Sequence, residues 1–314
     1  MTKYERVAAA LAGSEVDRVP FSIYQHSTVH DRSVAGFADY TLAFYRRFDP
    51  DYIKVMFDDH YDLPPVYDFI RAPAVWRELE EYDPHLGAFG RVLEALKRIK
   101  EAVGPAVPVI QTIYLPFHFG IRLAYRRIMD DLREDPEAVH YGLGVIARNT
   151  VRFGRACLAE AGIDGFFLGA YGCSSSWMTA DAYRDHVRPL DLEVVDALGR
   201  AAAPMTILHI HGERDSYFDL LKDYPVHALS WEDRSAGPTI EQARTRTNKC
   251  LVGGIDFHRA RHCSAEEVTE EGRAAVQAAG TRGFILAPGC TFLAGTPEAN
   301  MLALKKAVQD VRSV

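Results

Sequence analysis

Three residues of this 314-residue chain have types and spacing that suit a metal ion: His209, His211 and Cys290. The two histidines end an apolar run, residues 205–211, that predicts a β-strand. Residues two apart on a strand project to the same face, so both imidazoles can meet one point at its end. Cys290 follows another such run, residues 283–288, near the far end of the chain. Two imidazoles, one thiolate and an open position make the donor set of a catalytic zinc ion. The plainer alternative is that one imidazole bonds a backbone carbonyl, the other meets water, and Cys290 packs as a small apolar residue. Residue types alone leave both open.

Other polar and aromatic residues gather at the ends of similar runs. His26, Asp58 and Glu213 could carry protons or hold a substrate. Tyr114, His118, Tyr171, Trp231 and Asp256 could line a pocket. Equally, a polar residue at a strand end can cap the next helix, and a buried aromatic can be plain core.

Eight runs must position these residues: 20–26, 52–58, 107–114, 165–170, 205–211, 228–233, 251–256 and 283–288. Most are near-continuously apolar, as parallel strands covered on both faces are. Amphipathic stretches separate them, with helix-start signals at Thr2-x-x-Glu5, Asp135-Pro136-Glu137, Ser264-x-x-Glu267 and Thr296-Pro297-Glu298. The last predicted helix continues through Met301, Leu304, Val308 and Val311. The alternation predicts an α/β fold with a parallel sheet. No Gly-x-Gly-x-x-Gly follows a strand, so a dinucleotide fold lacks its phosphate loop. Eight units fit one (β/α)8 TIM barrel spanning residues 1–314. Residues 61–84, with Leu63-Pro64-Pro65, and residues 115–134 read as loop insertions after strands two and three. In such a barrel the catalytic face is at the strands' C-terminal ends, where all the residues above fall.

Composition narrows the class. Net charge is −7, with no Lys/Arg run of the kind that binds nucleic acid or an anionic membrane. No apolar stretch approaches the roughly 20 residues of a membrane helix. Five cysteines, an odd number without Cys-x-x-Cys, argue against a disulfide framework and for a reducing cytoplasm. Arg18, ahead of strand one, reads as a stability contact.

The chain ends carry a family resemblance. The segment from Arg6 to Pro20 resembles the opening helix and strand lead-in of the uroporphyrinogen decarboxylase superfamily. The segment from Gly283 to Asn300 resembles its closing segment, and Ala161-Gly-Ile-Asp164 and Leu208-His-Ile-His-Gly212 resemble internal motifs. The resemblance implies a single (β/α)8 barrel and one of two chemistries. The decarboxylating branch uses an arginine-rich segment after strand one, and residues 21–30 hold no arginine here. The other branch is similar over Ile285–Cys290 and contains zinc-dependent methyltransferases that move a methyl group between a corrinoid and a thiol. That similarity implies zinc ligands at His209, His211 and Cys290, with Glu213 or Asp256 as fourth ligand or proton acceptor. Asp58, Tyr114, Tyr171 and Trp231 would shape the pocket. His211 stands where the branch has cysteine, so zinc with one thiolate and two neutral imidazoles would carry a net +1. That charge would favour polarising a substrate oxygen over activating a thiol.

The first expectation is therefore one-carbon transfer to a small acceptor, with any corrinoid on a separate carrier protein and a homodimer compatible with the family. A second is a metal-independent decarboxylase or lyase acting on a smaller carboxylic acid through His26, Asp58 and the two imidazoles. A third is a non-catalytic module binding a corrinoid or tetrapyrrole.

Overall fold

The computed structural model describes residues 1–27, 31, 33–63, 69–199 and 202–309. Seven of the apolar runs form one parallel sheet in simple sequence order. The strands are β1 (Ile53–Val55), β2 (Val109–Tyr114), β3 (Gly165–Ala170), β4 (Met205–Ile210), β5 (Ala228–Trp231), β6 (Cys250–Ile255) and β7 (Phe284–Pro288). Every strand residue is buried. Helices cover the outer face, which is why the strands lack a polar alternation. At the start of β3, a Cβ on Gly165 would lie 1.6 Å from the Met205 carbonyl oxygen, so only glycine lets β3 and β4 approach there.

The expected first strand departs from this pattern. Residues 20–26 make two isolated parallel bridges, Phe21 to Leu286 and Gln25 to Phe292, and no continuous ladder. The Ser22 N–H donates to Leu286 O at 2.9 Å, and the Leu286 N–H donates to Pro20 O at 2.9 Å. On the opposite side the Phe21 N–H bonds the Asp51 carboxylate at 2.9 Å, where a neighbouring strand would supply a carbonyl. Pro20 has no N–H to offer, and a side chain stands in for the ladder. Buried Asp51 also receives Arg6 at 2.8 Å and Arg18 at 2.7 Å and 2.9 Å, so Arg18 is the structural contact its position suggested.

The long segment after β2 is helical, not the expected loop insertion. Pro116–Ala124 and Arg127–Glu134 are both helices, the first opened by its proline. Residues 61–84 include the short helix Pro73–Trp76, while Pro64 and Pro65 lie outside the described residues. The two excursions pack on each other: the Trp76 indole N–H donates to buried Asp131 at 2.9 Å. The start signals at Thr2, Asp135 and Ser264 all form side-chain caps. The Thr296 hydroxyl instead donates back to Leu293 O at 2.8 Å, and the last helix is Glu298–Gln309, with Val311 outside the described residues.

Inward-facing side chains alternate with outward ones. Ile110, Phe167, Met205, Ile207, Val252, Ile285 and Ala287 fill the interior of the curled sheet. Above this plug, toward the strands' C-terminal ends, the interior opens. No helix among the described residues is long and apolar enough to cross a membrane.

Candidate functional site

A cavity of about 530 Å³ lies over the C-terminal ends of the strands. Register decides which side chains reach it. In the β4–β5 pair, His209 is level with Ser230. One inward step further along both chains brings His211 level with Glu232. Cys290 arrives from just beyond β7. His211, Glu232 and Cys290 each offer one donor atom, and these atoms lie within 4.8 Å of one another. His211 Nε2 is 3.6 Å from Glu232 Oε1.

That cluster differs from the expected trio. Glu232 replaces His209, because His209 sits one inward step deeper on β4. His209 Nδ1 is 3.2 Å from Ser230 Oγ, and its ring stacks on Phe167 with centroids 5.4 Å apart. Its Nε2 is buried with no hydrogen-bond partner among the described residues. His209 lines the same cavity, and its ring lies 5.9 Å from that of His211.

Aromatic rings form one wall. Tyr114 and His118 are 4.1 Å apart, His118 and Tyr171 4.9 Å, and Tyr171 and His211 4.2 Å, centroid to centroid. Gly169 makes this packing possible: a Cβ there would meet Tyr114 and His118 at 3.3 Å. His26 and Glu213 also line the cavity, both exposed. Glu213 is not part of the convergent cluster. Asp58 lies beside the cavity and not on its wall. It receives His26 Nδ1 at 2.5 Å and the Ser27 N–H at 2.7 Å.

Two expected pocket residues face elsewhere. Trp231 alternates with Ser230 and Glu232, so its ring points outward from β5. There its N–H bonds Pro238 O at 2.7 Å and its edge meets Phe218. Asp256 turns back to accept the N–H groups of His258 and Arg259, both at 2.9 Å, as a cap. Neither lines the cavity.

Electrostatics follow from enclosure. Burial, aided by His258, pulls the His211 imidazolium down to about 4. Burial, with His211 and Arg122 nearby, drives His118 well below the ordinary imidazole value. Burial lifts Glu232 to about 7 and raises Cys290 above the usual thiol value. Burial would raise Asp58 too, but hydrogen bonds from His26 and Ser27 hold it below the usual carboxylate value. The buried part of the cavity thus presents His118, His209 and His211 as neutral imidazoles, with the Glu232 carboxyl and the Cys290 thiol beside His211.

Several cavity residues had no role assigned from the sequence: Glu232, Lys54, Thr112 and Arg122. The signal for Lys54 was present in the sequence: it is the single charged residue of the fully buried strand β1, whereas Glu232 lies just past β5 beside Asp233.

Comparison with known proteins gives a consistent picture. A family model described as uroporphyrinogen decarboxylase (URO-D) matches residues 53–311. The methylcobamide:CoM methyltransferase MtbA of Methanosarcina acetivorans is 23% identical over 239 residues, covering 75% of this chain and 68% of that protein. The methylcobamide:CoM methyltransferase MtaA of Methanosarcina barkeri is 25% identical over 219 residues, covering 68% of this chain and 61% of that protein. Among solved structures, a methyltransferase from Methanosarcina mazei superposes with a TM-score of 0.81 at 19% identity, covering 98% of both chains. A B12-independent methionine synthase from Shewanella superposes at 0.62 with 13% identity, covering 93% of both.

Proposed function

The chain belongs to the uroporphyrinogen decarboxylase (URO-D) family, and from that premise we propose that it is a zinc-dependent methyltransferase. It passes a methyl group from a corrinoid, carried by a separate protein, to a small acceptor in the cavity. The whole chain acts as one barrel domain, with residues 20–25 standing in for the eighth strand. The observation that carries this reading is the convergence of His211, Glu232 and Cys290 in a chain whose relatives are named as methylcobamide:CoM methyltransferases.

The donor set suits zinc. Bonds of about 2.0–2.3 Å put tetrahedral ligand atoms roughly 3.3–3.8 Å apart, so a spread of 4.8 Å closes by modest side-chain rotation. The unpartnered Nε2 of His209, on the same wall, would supply the fourth donor of the resting site and yield that position to the acceptor. Glu232 also changes the charge arithmetic. Two neutral imidazoles, one thiolate and one carboxylate balance a divalent ion, where the sequence suggested a net +1. The handicap expected for a thiol acceptor is removed.

When bound, zinc lowers the pKa of a coordinated acceptor and holds it ready for attack. The protein does the rest. The row Tyr114–His118–Tyr171–His211 walls the acceptor and limits its orientation. The Ser230 hydroxyl beside His209 Nδ1 fixes that ring so that Nε2 is left to face the ion. His26, exposed at the rim and held by Asp58, takes the proton released when the acceptor enters as its anion.

The His26–Asp58 pair also favours the second reading, metal-free decarboxylation of a small acid. One experiment separates the two. The purified enzyme is assayed for zinc and for loss of the methyl group from methylcobalamin in the presence of small thiols. About one zinc per chain and a chelator-sensitive demethylation support the proposal. Full activity on any substrate in metal-free enzyme would overturn it.

A further inference from the structure

Lys54 is a buried cation with no ion pair among the described residues. The other buried cation, Arg6, shows the contrast, because it is held by Asp17 and Asp51. Lys54 lies on β1 and is only 8% exposed. Its ammonium rests 4.7 Å from the Tyr24 ring centroid, 4.4 Å from that of Phe167 and 2.9 Å from Met56 Sδ. Rings and a thioether partly offset desolvation, but they do not neutralise the charge. Asp58 and Cys290 act on it only at a distance. Burial pulls the ammonium down to about 8, so at neutral pH it is still mostly charged.

A second unsatisfied group shares the cavity. In the β1–β2 pair, Lys54 is level with Ile110, so Thr112 is one inward step beyond it on the adjacent strand. The Thr112 hydroxyl is buried and has no hydrogen-bond partner among the described residues. Both residues line the cavity that holds His211, Glu232 and Cys290. Arg122, the other cation on the wall, is already engaged: it bonds Asp59 O at 2.9 Å and covers the Tyr114 ring. A buried ammonium whose one acceptor is the weakly polar Met56 sulfur and that has no counter-ion, beside a buried hydroxyl with no partner among the described residues, forms half of an anion site.

We infer that Lys54, with the Thr112 hydroxyl, is the seat for a carboxylate or sulfonate on the acceptor, and that this pair makes the enzyme select small acids over neutral analogues. The inference rests on the cavity being the acceptor site proposed above. Lys54 is then a specificity-determining residue: one end of the acceptor pairs with it and the reacting end reaches the His211–Glu232–Cys290 cluster.

The test is calorimetric binding to the enzyme as purified. The probes are 3-mercaptopropionate, its neutral counterpart 3-mercaptopropan-1-ol, and butyrate, an acid without a thiol. The unmodified enzyme should prefer the mercapto-acid over the alcohol by about tenfold or more, as a desolvated charge pair allows. Lys54→Met should bind the two within about twofold of each other and lose butyrate. Lys54→Arg, which keeps the charge, should retain most of the preference. Methionine packs on the same rings, and a circular dichroism melt at or above that of the parent certifies its fold. The inference is overturned if the parent shows no preference, or if Lys54→Met keeps it. Butyrate separates this result from the metal question: a Lys54-dependent butyrate site in zinc-free protein would leave the seat standing while the methyltransferase reading falls.

Discussion

A buried ammonium without a counter-ion should cost stability, and the cost can be read by substitution. Lys54→Met removes the charge and keeps an unbranched chain against Tyr24 and Phe167. In the unfolded chain a lysine titrates near about 10.4. In the folded protein burial brings Lys54 to about 8. Between those values the unfolded state binds more protons, so the parent gains stability as pH rises through that window. The difference of about 2.4 pH units, at about 1.4 kcal/mol each, makes a penalty of roughly 3 kcal/mol that is fully present below pH 8 and gone above about 10.4. Urea unfolding at pH 7.5, 9 and 10.5 in a buffer without organic acids measures it. Lys54→Met should be more stable than the parent by roughly 3 kcal/mol at pH 7.5, and the gap should close toward pH 10.5. Saturating butyrate should narrow the gap at pH 7.5 by stabilising only the parent. A gap that is absent, or that does not change with pH, would refute the reasoning.

Three further outcomes are expected. Asp58→Asn should reduce methyl transfer by no more than about tenfold, since it only orients His26, whereas acid–base decarboxylation would lose about 10²–10⁴-fold; steady-state rates on methylcobalamin decide. Trp231→Phe should leave kcat/KM within about twofold and cost about 1–3 kcal/mol in urea unfolding, because it strands the Pro238 carbonyl outside the cavity. Asp191, buried and accepting from Tyr183 at 2.7 Å, is raised by burial to about 8. The folded state keeps its proton while the unfolded chain loses it, so stability falls as pH climbs from about 4 to 8. Asp191→Asn abolishes that slope, and its advantage over the parent should widen by about 1.4 kcal/mol per unit between pH 5 and 7.

Seven of the strands were legible because each is an apolar run between helix signals. The run at residues 20–26 was misleading for a physical reason. Composition marks a segment as buried and extended, but whether it completes a ladder depends on partners, and here Pro20 and the Asp51 side chain take the place of two ladder groups. The helix Pro116–Ala124 was hidden by a similar ambiguity, since most of its residues are buried apolar ones and leave little polar face. At the site, His211 and Cys290 could be read from spacing. Glu232 could not be ranked against Trp231 without knowing which alternate residues of β5 face inward. Trp231 and Asp256 show the converse: chemically capable residues at a strand end can point away or cap a turn. Lys54 was the clearest missed signal, a single charge in a strand with no polar alternation.

The central claim is that His211, Glu232 and Cys290 hold a zinc ion on which the reaction depends. The most direct test is elemental analysis joined to X-ray absorption at the zinc edge. Parent enzyme should carry about one zinc per chain, with one sulfur near about 2.3 Å and nitrogen or oxygen ligands near about 2.0–2.2 Å. Glu232→Gln and Cys290→Ala should each lose most of the metal, the latter also losing the sulfur shell. Zinc retained with an unchanged ligand shell in both variants, or parent enzyme fully active without metal, would contradict the account.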